Sequence, residues 1–414
     1  MNEQQNLRSE RPDAPAGGRG DEGVSSRRDR LRRVARRPTM RIIAMALGVR
    51  LFGALLAFFF NIAYPLAQPE QFTVLGHTNL FWDAFARDDS GWYFGIARYG
   101  YSYVAGGRSS LAYFPVYPLL VRYLGRLFGR GMFDYYLAGA IISWTAFVLA
   151  MVVLYRLARL DLSRRAAERA VLYAAIFPFA FFFGKVYTES LFLLTTVMAF
   201  YAFRTRRWAL GGASGALMTA TRVNGVMTLP LLAWVAWRAT GRDRRGQAAA
   251  AAALVVAAAG LGTYCAYNWW LSGSPIEWMH SIERWGYHPF AAPWTGPARL
   301  IHSLVVEPYT FLAETHMGLY DTLNGGASLV FAASIPFVWR RYGAAYGLFM
   351  AANLCLPLSS GVFEGLGRYC SVLFPFFIWL GGRRSHAGRT AIPIVFAALY
   401  ALCLSLFVNL HPIF

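Results

Sequence analysis

Long apolar segments alternate with short polar ones along most of this chain. Apolar runs fall near 41–66, 133–155, 170–184, 187–203, 208–222, 225–238, 247–271, 320–338, 343–358, 370–381 and 390–410. A helix needs about 20 predominantly apolar residues to cross the hydrocarbon core of a bilayer. The pattern therefore predicts an all-α, polytopic membrane protein with about 11 transmembrane helices. The runs shorter than about 17 residues predict half-helices, or helices that continue past the apolar stretch. Between 247 and 260 the chain is mostly Ala and Val, which predicts a close-packed helix.

The polar segments divide into two kinds. Residues 1–40 are rich in Arg, Gly, Asp, Glu and Ser and hold no apolar run. They predict a disordered basic cytoplasmic tail, not a signal peptide. The remainder, 41–414, reads as one transmembrane domain. Its short Arg-bearing loops hold Arg156, Arg159, Arg164 and Arg165; Arg204, Arg206 and Arg207; Arg238, Arg242, Arg244 and Arg245; Arg340 and Arg341; Arg383 and Arg384. All fall on the side of the tail if the spans alternate, as the positive-inside rule requires. The complementary loops then face outward. They are 67–132, the turn Gly184–Ser190, the turn Thr221–Gly225, 272–319 and the segment with Glu364, Gly367, Arg368 and Tyr369. Irregular backbone at membrane depth needs protein or water around it. A shared cavity open to the outside would supply both.

Composition agrees with a membrane chain. Of 414 residues 57% are hydrophobic and 15% charged, against roughly a quarter charged in soluble domains. The net charge of +19 is carried by Arg, since Lys185 is the sole lysine. Those arginines cluster between apolar runs, so the charge reflects topology and not nucleic-acid binding. Cys265, Cys355, Cys370 and Cys403 lie in or beside apolar runs without a Cys-x-x-Cys pair. They predict small packed residues, with neither a disulfide framework nor a zinc site.

Candidate chemistry concentrates in the outer loops. Asp83, Asp88 and Asp89 lie within seven positions just after the first span. A carboxylate there fits a general base that takes the proton of an acceptor hydroxyl, and it suits an oxocarbenium-like transition state. Trp92, Tyr93, Tyr99, Tyr101, Tyr113 and Tyr117 surround these acids, as an interfacial belt or as stacking faces for sugar rings. Phe114-Pro115 and Tyr117-Pro118 should bend the chain. Lys185, Tyr187 and Glu189 share a tight turn, where Lys185 and Glu189 form either an i,i+4 ion pair or a substrate contact, with Lys185 on a lipid phosphate. Arg222, Asn224 and Arg368 are costly among apolar residues unless they face a cavity, and the guanidinium fork favours phosphate. His280, His288 and His302 lack the spacing of a helical metal pair, and no metal site is expected. Glu277 and Glu283 are further candidates for acceptor contacts.

The stretch Asp89-Ser90-Gly91-Trp92-Tyr93, followed by Ile96-Ala97-Arg98-Tyr99-Gly100-Tyr101, resembles the PIG-V-type mannosyltransferases that add the second mannose to GPI anchors, and their bacterial relatives. Tyr113-Phe114-Pro115-Val116-Tyr117-Pro118 is similar to that family's Phe-Phe-Pro-x-x-Pro element. Tyr187-Thr188-Glu189, Arg222-Val223-Asn224-Gly225 and Arg368-Tyr369 match further motifs in the family's order. The resemblance implies a type C glycosyltransferase (GT-C) fold and a catalytic Asp in the first outer loop. It selects Asp89 over Asp83, whose Trp82-Asp83 lacks the Trp-Tyr at the right offset. Asp88 stands where bacterial relatives often carry Trp, which leaves open which of the two acids is the base. The resemblance also implies a polyprenyl-phosphate-mannose donor. On this reading Arg222, Arg368 and Lys185 bind the donor phosphate, and Trp92, Tyr93, Tyr113, Tyr187, Glu189, Asn224 and Tyr369 contact substrate. The Arg-for-Lys bias points to a high-GC bacterium, so a GPI acceptor does not carry over.

The expected function is thus an inverting transferase moving mannose to a lipid- or glycan-linked acceptor outside a bacterial plasma membrane. Its partners would be the lipid-linked donor, the acceptor and membrane lipids, without nucleic acid, and metal-independent transfer is expected. A transporter or flippase for a polyprenyl-phosphate-linked sugar is the alternative, and a third reading makes Asp88 and Asp89 ligands of a divalent cation.

Overall fold

The computed structural model describes residues 38–67, 80–287, 291–315, 317–363 and 365–413. The expected tail, apart from its last residues, lies outside the described residues, as do His288 and Glu364. In chain order the helices are α1 (Pro38–Ala63), α2 (Asp89–Tyr99), α3 (Val116–Phe128), α4 (Met132–Ala158), α5 (Arg164–Ile176), α6 (Glu189–Arg204), α7 (Trp208–Thr219), α8 (Asn224–Thr240), α9 (Arg244–Ser272), α10 (Glu277–Arg284), α11 (Thr295–Val306), α12 (Gly318–Tyr342), α13 (Ala344–Leu358), α14 (Leu366–Ser371), α15 (Phe374–Gly382) and α16 (His386–Val408). A single helical turn, Leu80–Asp83, precedes α2.

The all-helical expectation holds among the described residues. Among the described residues five helices are long and apolar enough to cross a membrane: α1, α4, α9, α12 and the Gly388–Val408 part of α16. The other expected spans are shorter, and two are divided by proline. The run 170–184 is helical only to Ile176. Phe177 then turns extended, at φ −53° and ψ 143°, because the ring of Pro178 disfavours helical backbone in the residue before it. A tight turn, Ala180–Gly184, follows. The run 370–381 is likewise split into α14 and α15, with Pro375 in the first turn of α15, where its missing N–H costs nothing.

Packing follows side-chain size. α9 lies close against α7, where a Cβ on Gly260 would stand 2.0 Å from the Ala216 carbonyl oxygen and one on Gly215 would stand 2.4 Å from Ala257 Cβ. The Ala-rich stretch is therefore a close-approach helix, as its composition predicts. α6 is buried along most of its length. Arg50, in the middle of α1, is buried too. Its guanidinium donates to the carbonyls of Ala175 at 3.1 Å and Ala180 at 2.7 Å and lies 4.3 Å from the Phe147 ring centroid. A cation at the carbonyl end of α5 meets the negative end of the helix dipole, which offsets part of the cost of burying it. Cys370 and Cys403 are buried, whereas Cys265 is half-buried and Cys355 exposed; all four are free.

Candidate active site

Three irregular segments meet at the site. The turn before α2 is joined to the turn before α6: Val186 N–H donates to the Phe85 carbonyl at 3.1 Å, Ser90 Oγ to the Val186 carbonyl at 3.2 Å, and Tyr187 Oη to the Arg87 carbonyl at 3.2 Å. Val116 N–H donates to the Ala220 carbonyl at 3.2 Å. This bond ties the start of α3 to the segment that presents Arg222. Pro115 ends the loop as the residue immediately before α3.

Asp89, the first residue of α2, is held at both oxygens. Tyr113 Oη donates to Oδ1 at 2.9 Å, and Arg368 Nη1, from α14, donates to Oδ2 at 2.8 Å. Arg368 Nε lies 3.0 Å from Glu189 Oε1. Arg222 Nη1 bonds the same Glu189 oxygen and Thr188 Oγ1 at 3.1 Å. Glu189 is buried, its side chain 1% exposed, while Asp89 keeps 23% exposure. Two arginines thus share one buried carboxylate, and one of them, Arg368, reaches outward to a second, accessible one. Aromatic rings back both cations: Arg222 lies 5.0 Å from the Tyr369 centroid, and Arg368 lies 5.4 Å from Tyr187 and 5.8 Å from Phe182. Nη2 of each arginine makes no hydrogen bond among the described residues. Each is a donor left over for an anion.

Asp88 is placed differently. Its backbone sits at φ 47° and ψ −114°, a region that favours glycine. Both carboxylate oxygens are buried without a hydrogen-bond partner among the described residues. Burial first, and then the neighbouring Asp89 charge, push its pKa up to about 8, while Arg87 and Arg368 pull the other way. Asp88 therefore holds a proton at neutral pH.

The remaining sequence candidates divide. Trp92 and Tyr113 stack at 5.7 Å and 10°, and Tyr93 meets Tyr113 edge-on at 5.4 Å and reaches Thr188 Oγ1 at 3.5 Å. Tyr187 and Tyr369 pack under the arginines. Asn224 instead turns into the helix packing and donates to Asn353 Oδ1 at 3.0 Å. Lys185 is buried apart from this cluster. Its ammonium donates to the Ala84 carbonyl at 2.6 Å and lies between the Phe85 and Phe407 rings. It does not form the i,i+4 pair with Glu189, because the two arginines take that carboxylate. Glu277 is buried, paired with Arg284 at 2.6 Å and with His280 at 3.4 Å. Among the described residues no group of three or more His, Cys, Asp or Glu is placed to hold a metal ion.

Sequence reasoning misses several supports. Asp83 and Arg87 form a fully buried i,i+4 ion pair at 2.5 Å, which floors the turn carrying Asp88. Their i,i+4 spacing of opposite charges is the available signal. Tyr264, from α9, donates to the carbonyls of Leu111 at 2.8 Å and Tyr113 at 3.1 Å, so a distant helix positions the tyrosine that holds Asp89. Trp285 stands edge-on to Trp92 at 5.0 Å.

Residues 41–241 match the family model described as Mannosyltransferase (PIG-V). No curated relative matches by sequence. By structure the chain is similar to the apo oligosaccharyltransferase of Archaeoglobus fulgidus, with 15% identity and a TM-score of 0.45, over 89% of this chain and 56% of that one. The chain thus spans little more than half of that protein's length. It is also similar to ArnT from Cupriavidus metallidurans bound to undecaprenyl phosphate, with 12% identity and a TM-score of 0.51, over 88% of this chain and 76% of that one. Residues 41–241 thus match the PIG-V mannosyltransferase family that the ordered motifs resemble, and the fold is similar to that of ArnT.

Proposed function

We propose that this chain is an inverting membrane glycosyltransferase that moves mannose from a polyprenyl-phosphate-mannose donor to a lipid- or glycan-linked acceptor. It works at the extracytoplasmic face of a bacterial plasma membrane, with its amino terminus in the cytoplasm. The observation that carries the reading is the Asp89 carboxylate, partly exposed yet held at one oxygen by Tyr113 and at the other by Arg368. A general base needs this combination of access and fixed orientation.

The acceptor hydroxyl oxygen attacks the anomeric carbon of the donor, and Asp89 takes the hydroxyl proton. The bond from that carbon to the phosphate oxygen breaks, and polyprenyl phosphate leaves with the electron pair. Arg222 and Arg368 each have a free Nη2 to meet the charge that grows on the phosphate. Glu189 binds both guanidiniums and fixes their spacing before substrate arrives. Asp88, protonated, adds no second negative charge beside the base. Trp92 and Tyr113 offer parallel ring faces for a sugar.

The test is transfer from radiolabelled polyprenyl-phosphate-mannose to membrane acceptors by wild type, Asp88→Asn and Asp89→Asn. A base contributes roughly 10²- to 10⁴-fold, so Asp89→Asn should lose nearly all product while remaining folded. Near-normal turnover in that variant would sink the assignment. Translocation of the lipid-linked sugar across liposomes, without bond formation, would select the transporter reading.

A further inference from the structure

A cavity of about 380 Å³ opens where α12 and α15 end and α16 begins. Arg340, Arg341, Arg383 and Arg384 line it, together with Phe337 and Trp379. The two rings stack at 5.8 Å and 24°, and the Arg383 guanidinium lies 5.2 Å from the Trp379 centroid. Among the described residues none of these four arginines forms an ion pair. No carboxylate lines the cavity. A neighbouring cavity of about 430 Å³ shares Tyr342 with it and contains Arg204, but there Asp161 already holds Arg204 through contacts of 2.5 and 2.8 Å. The first cavity gathers four unpaired arginines, whereas in the second Arg204 is paired and only Arg238 is without an ion pair among the described residues.

Its position selects the occupant. α12 and most of α16 are both long and apolar enough to cross a membrane, and the cavity lies at the end they share. Phe337 is 51% exposed and stands one turn before Arg340 and Arg341, on the apolar side of the charge. A molecule seated here meets guanidiniums at one end and exposed aromatic surface at the other, a gradient that matches a phospholipid. Guanidinium binds phosphate through paired N–H donors. A basic pocket between helix ends next to the headgroup layer suits an anionic headgroup. A zwitterionic headgroup would add a cation to a cluster that already holds four.

We propose that this groove is a headgroup site for an anionic phospholipid, whose phosphate charge Arg340, Arg341, Arg383 and Arg384 hold while its glycerol and first acyl carbons lie on Phe337 and Trp379. The site is separate from the Asp89 cluster and does not depend on the reaction proposed for that cluster.

Native mass spectrometry of the full-length protein in mild detergent tests this, with phosphatidylglycerol and phosphatidylcholine added in turn. Wild type should retain phosphatidylglycerol over phosphatidylcholine. Each arginine near a membrane surface contributes about fivefold in affinity, so Arg383→Gln/Arg384→Gln and Arg340→Gln/Arg341→Gln should each weaken retention about 25-fold. Arg244→Gln/Arg245→Gln, at the exposed start of α9 and outside the cavity lining, should leave it unchanged. Equal loss in that control would mean diffuse attraction to a basic face and would overturn the site. Equal retention of phosphatidylcholine would overturn it as well. Inorganic phosphate that displaces the lipid at comparable concentration would make the groove a soluble-anion site instead. Should the paired variants fail to fold, Arg384→Gln alone and the wild-type comparison of the two lipids decide the matter.

Discussion

Arg368 and Asp89 stand 279 positions apart in sequence, yet Arg368 Nη1 donates to Asp89 Oδ2 at 2.8 Å. The same guanidinium reaches Glu189 through Nε, so one planar fork spans an accessible carboxylate and a buried one. Lysine cannot do this, because an ammonium is a single point of charge on a flexible stem. Arg368→Lys should keep the net charge and still lower the turnover of mannosyl transfer by about 10²- to 10³-fold, as when one preorganised donor is lost from a catalytic site. Steady-state transfer assays at saturating donor check this. Turnover within a few-fold of wild type would mean that charge alone, and not the fork, is what the site uses.

Tyr113 offers a narrower test. Its hydroxyl donates to Asp89 at 2.9 Å, while its ring packs on Trp92 and Trp285. Tyr113→Phe removes the first contact and keeps the second. A hydrogen bond to a charged group is worth about 1.5–3 kcal/mol, so activity should fall about 10- to 100-fold. Water reaches the partly exposed Asp89 and replaces much of the lost bond in the resting protein, so the thermal midpoint should move by only a few degrees. A large drop in stability with preserved activity would make Tyr113 a packing residue only.

These two contacts mark what the sequence discloses and what it hides. Asp89, Tyr113, Glu189, Arg222 and Arg368 were all legible, as polar and aromatic residues of the outward segments that follow one another in motif order. The helical class was legible too, because apolar runs separated by Arg-bearing turns have few other solutions in lipid. The pairing was not legible. Nothing in local spacing says that Glu189 would take Arg222 and Arg368 and leave Lys185 to a backbone carbonyl, since Lys185 is four residues away and the arginines are far off. Only the way α6, α8 and α14 meet decides it. Asn224 shows another thing that motif order hides: its motif marks a site residue, and its side chain amide closes a helix contact with Asn353. Proline explains the shortened spans, because Pro178 and Pro375 interrupt apolar runs that hydrophobicity alone reads as continuous.

Glu189 should govern stability more than chemistry. Its buried carboxylate faces Arg222 and Arg368, whose side chains are 10% and 11% exposed. Glu189→Gln leaves two cations without their shared counter-charge, and breaking a buried pair from one side costs about 3–5 kcal/mol. The double variant Glu189→Gln/Arg222→Gln removes one of those cations and should recover part of the loss, because residues in one network do not add. Chemical denaturation of the detergent-solubilised protein, run as a double-mutant cycle, measures the coupling. Strict additivity would show that the three side chains do not act as a unit.

Asp88 predicts an opposite dependence on pH from that of an ordinary ion-paired carboxylate. Burial and the adjacent Asp89 charge hold its proton up to about pH 8, far above the ordinary carboxylate value of 3.8. Between roughly pH 4 and pH 8 the native state therefore binds more protons at this position than the unfolded chain does, and stability must fall as pH rises through that window. Above it both states are ionised and the dependence levels off. Asp88→Asn cannot ionise, and Asn tolerates positive φ better than most residues. The thermal midpoint of Asp88→Asn minus that of wild type should then grow from pH 5 to pH 8 and stay constant above. Transfer should show the same residue from the other side. Once ionised, Asp88 places a second negative charge beside Asp89 and repels the anionic donor, so wild-type activity should decline above about pH 8, and Asp88→Asn should lose that decline while keeping activity at neutral pH. A difference in midpoint that is flat across the range, with an unchanged alkaline limb, would mean that Asp88 is ionised throughout and that its proton has no part in the site.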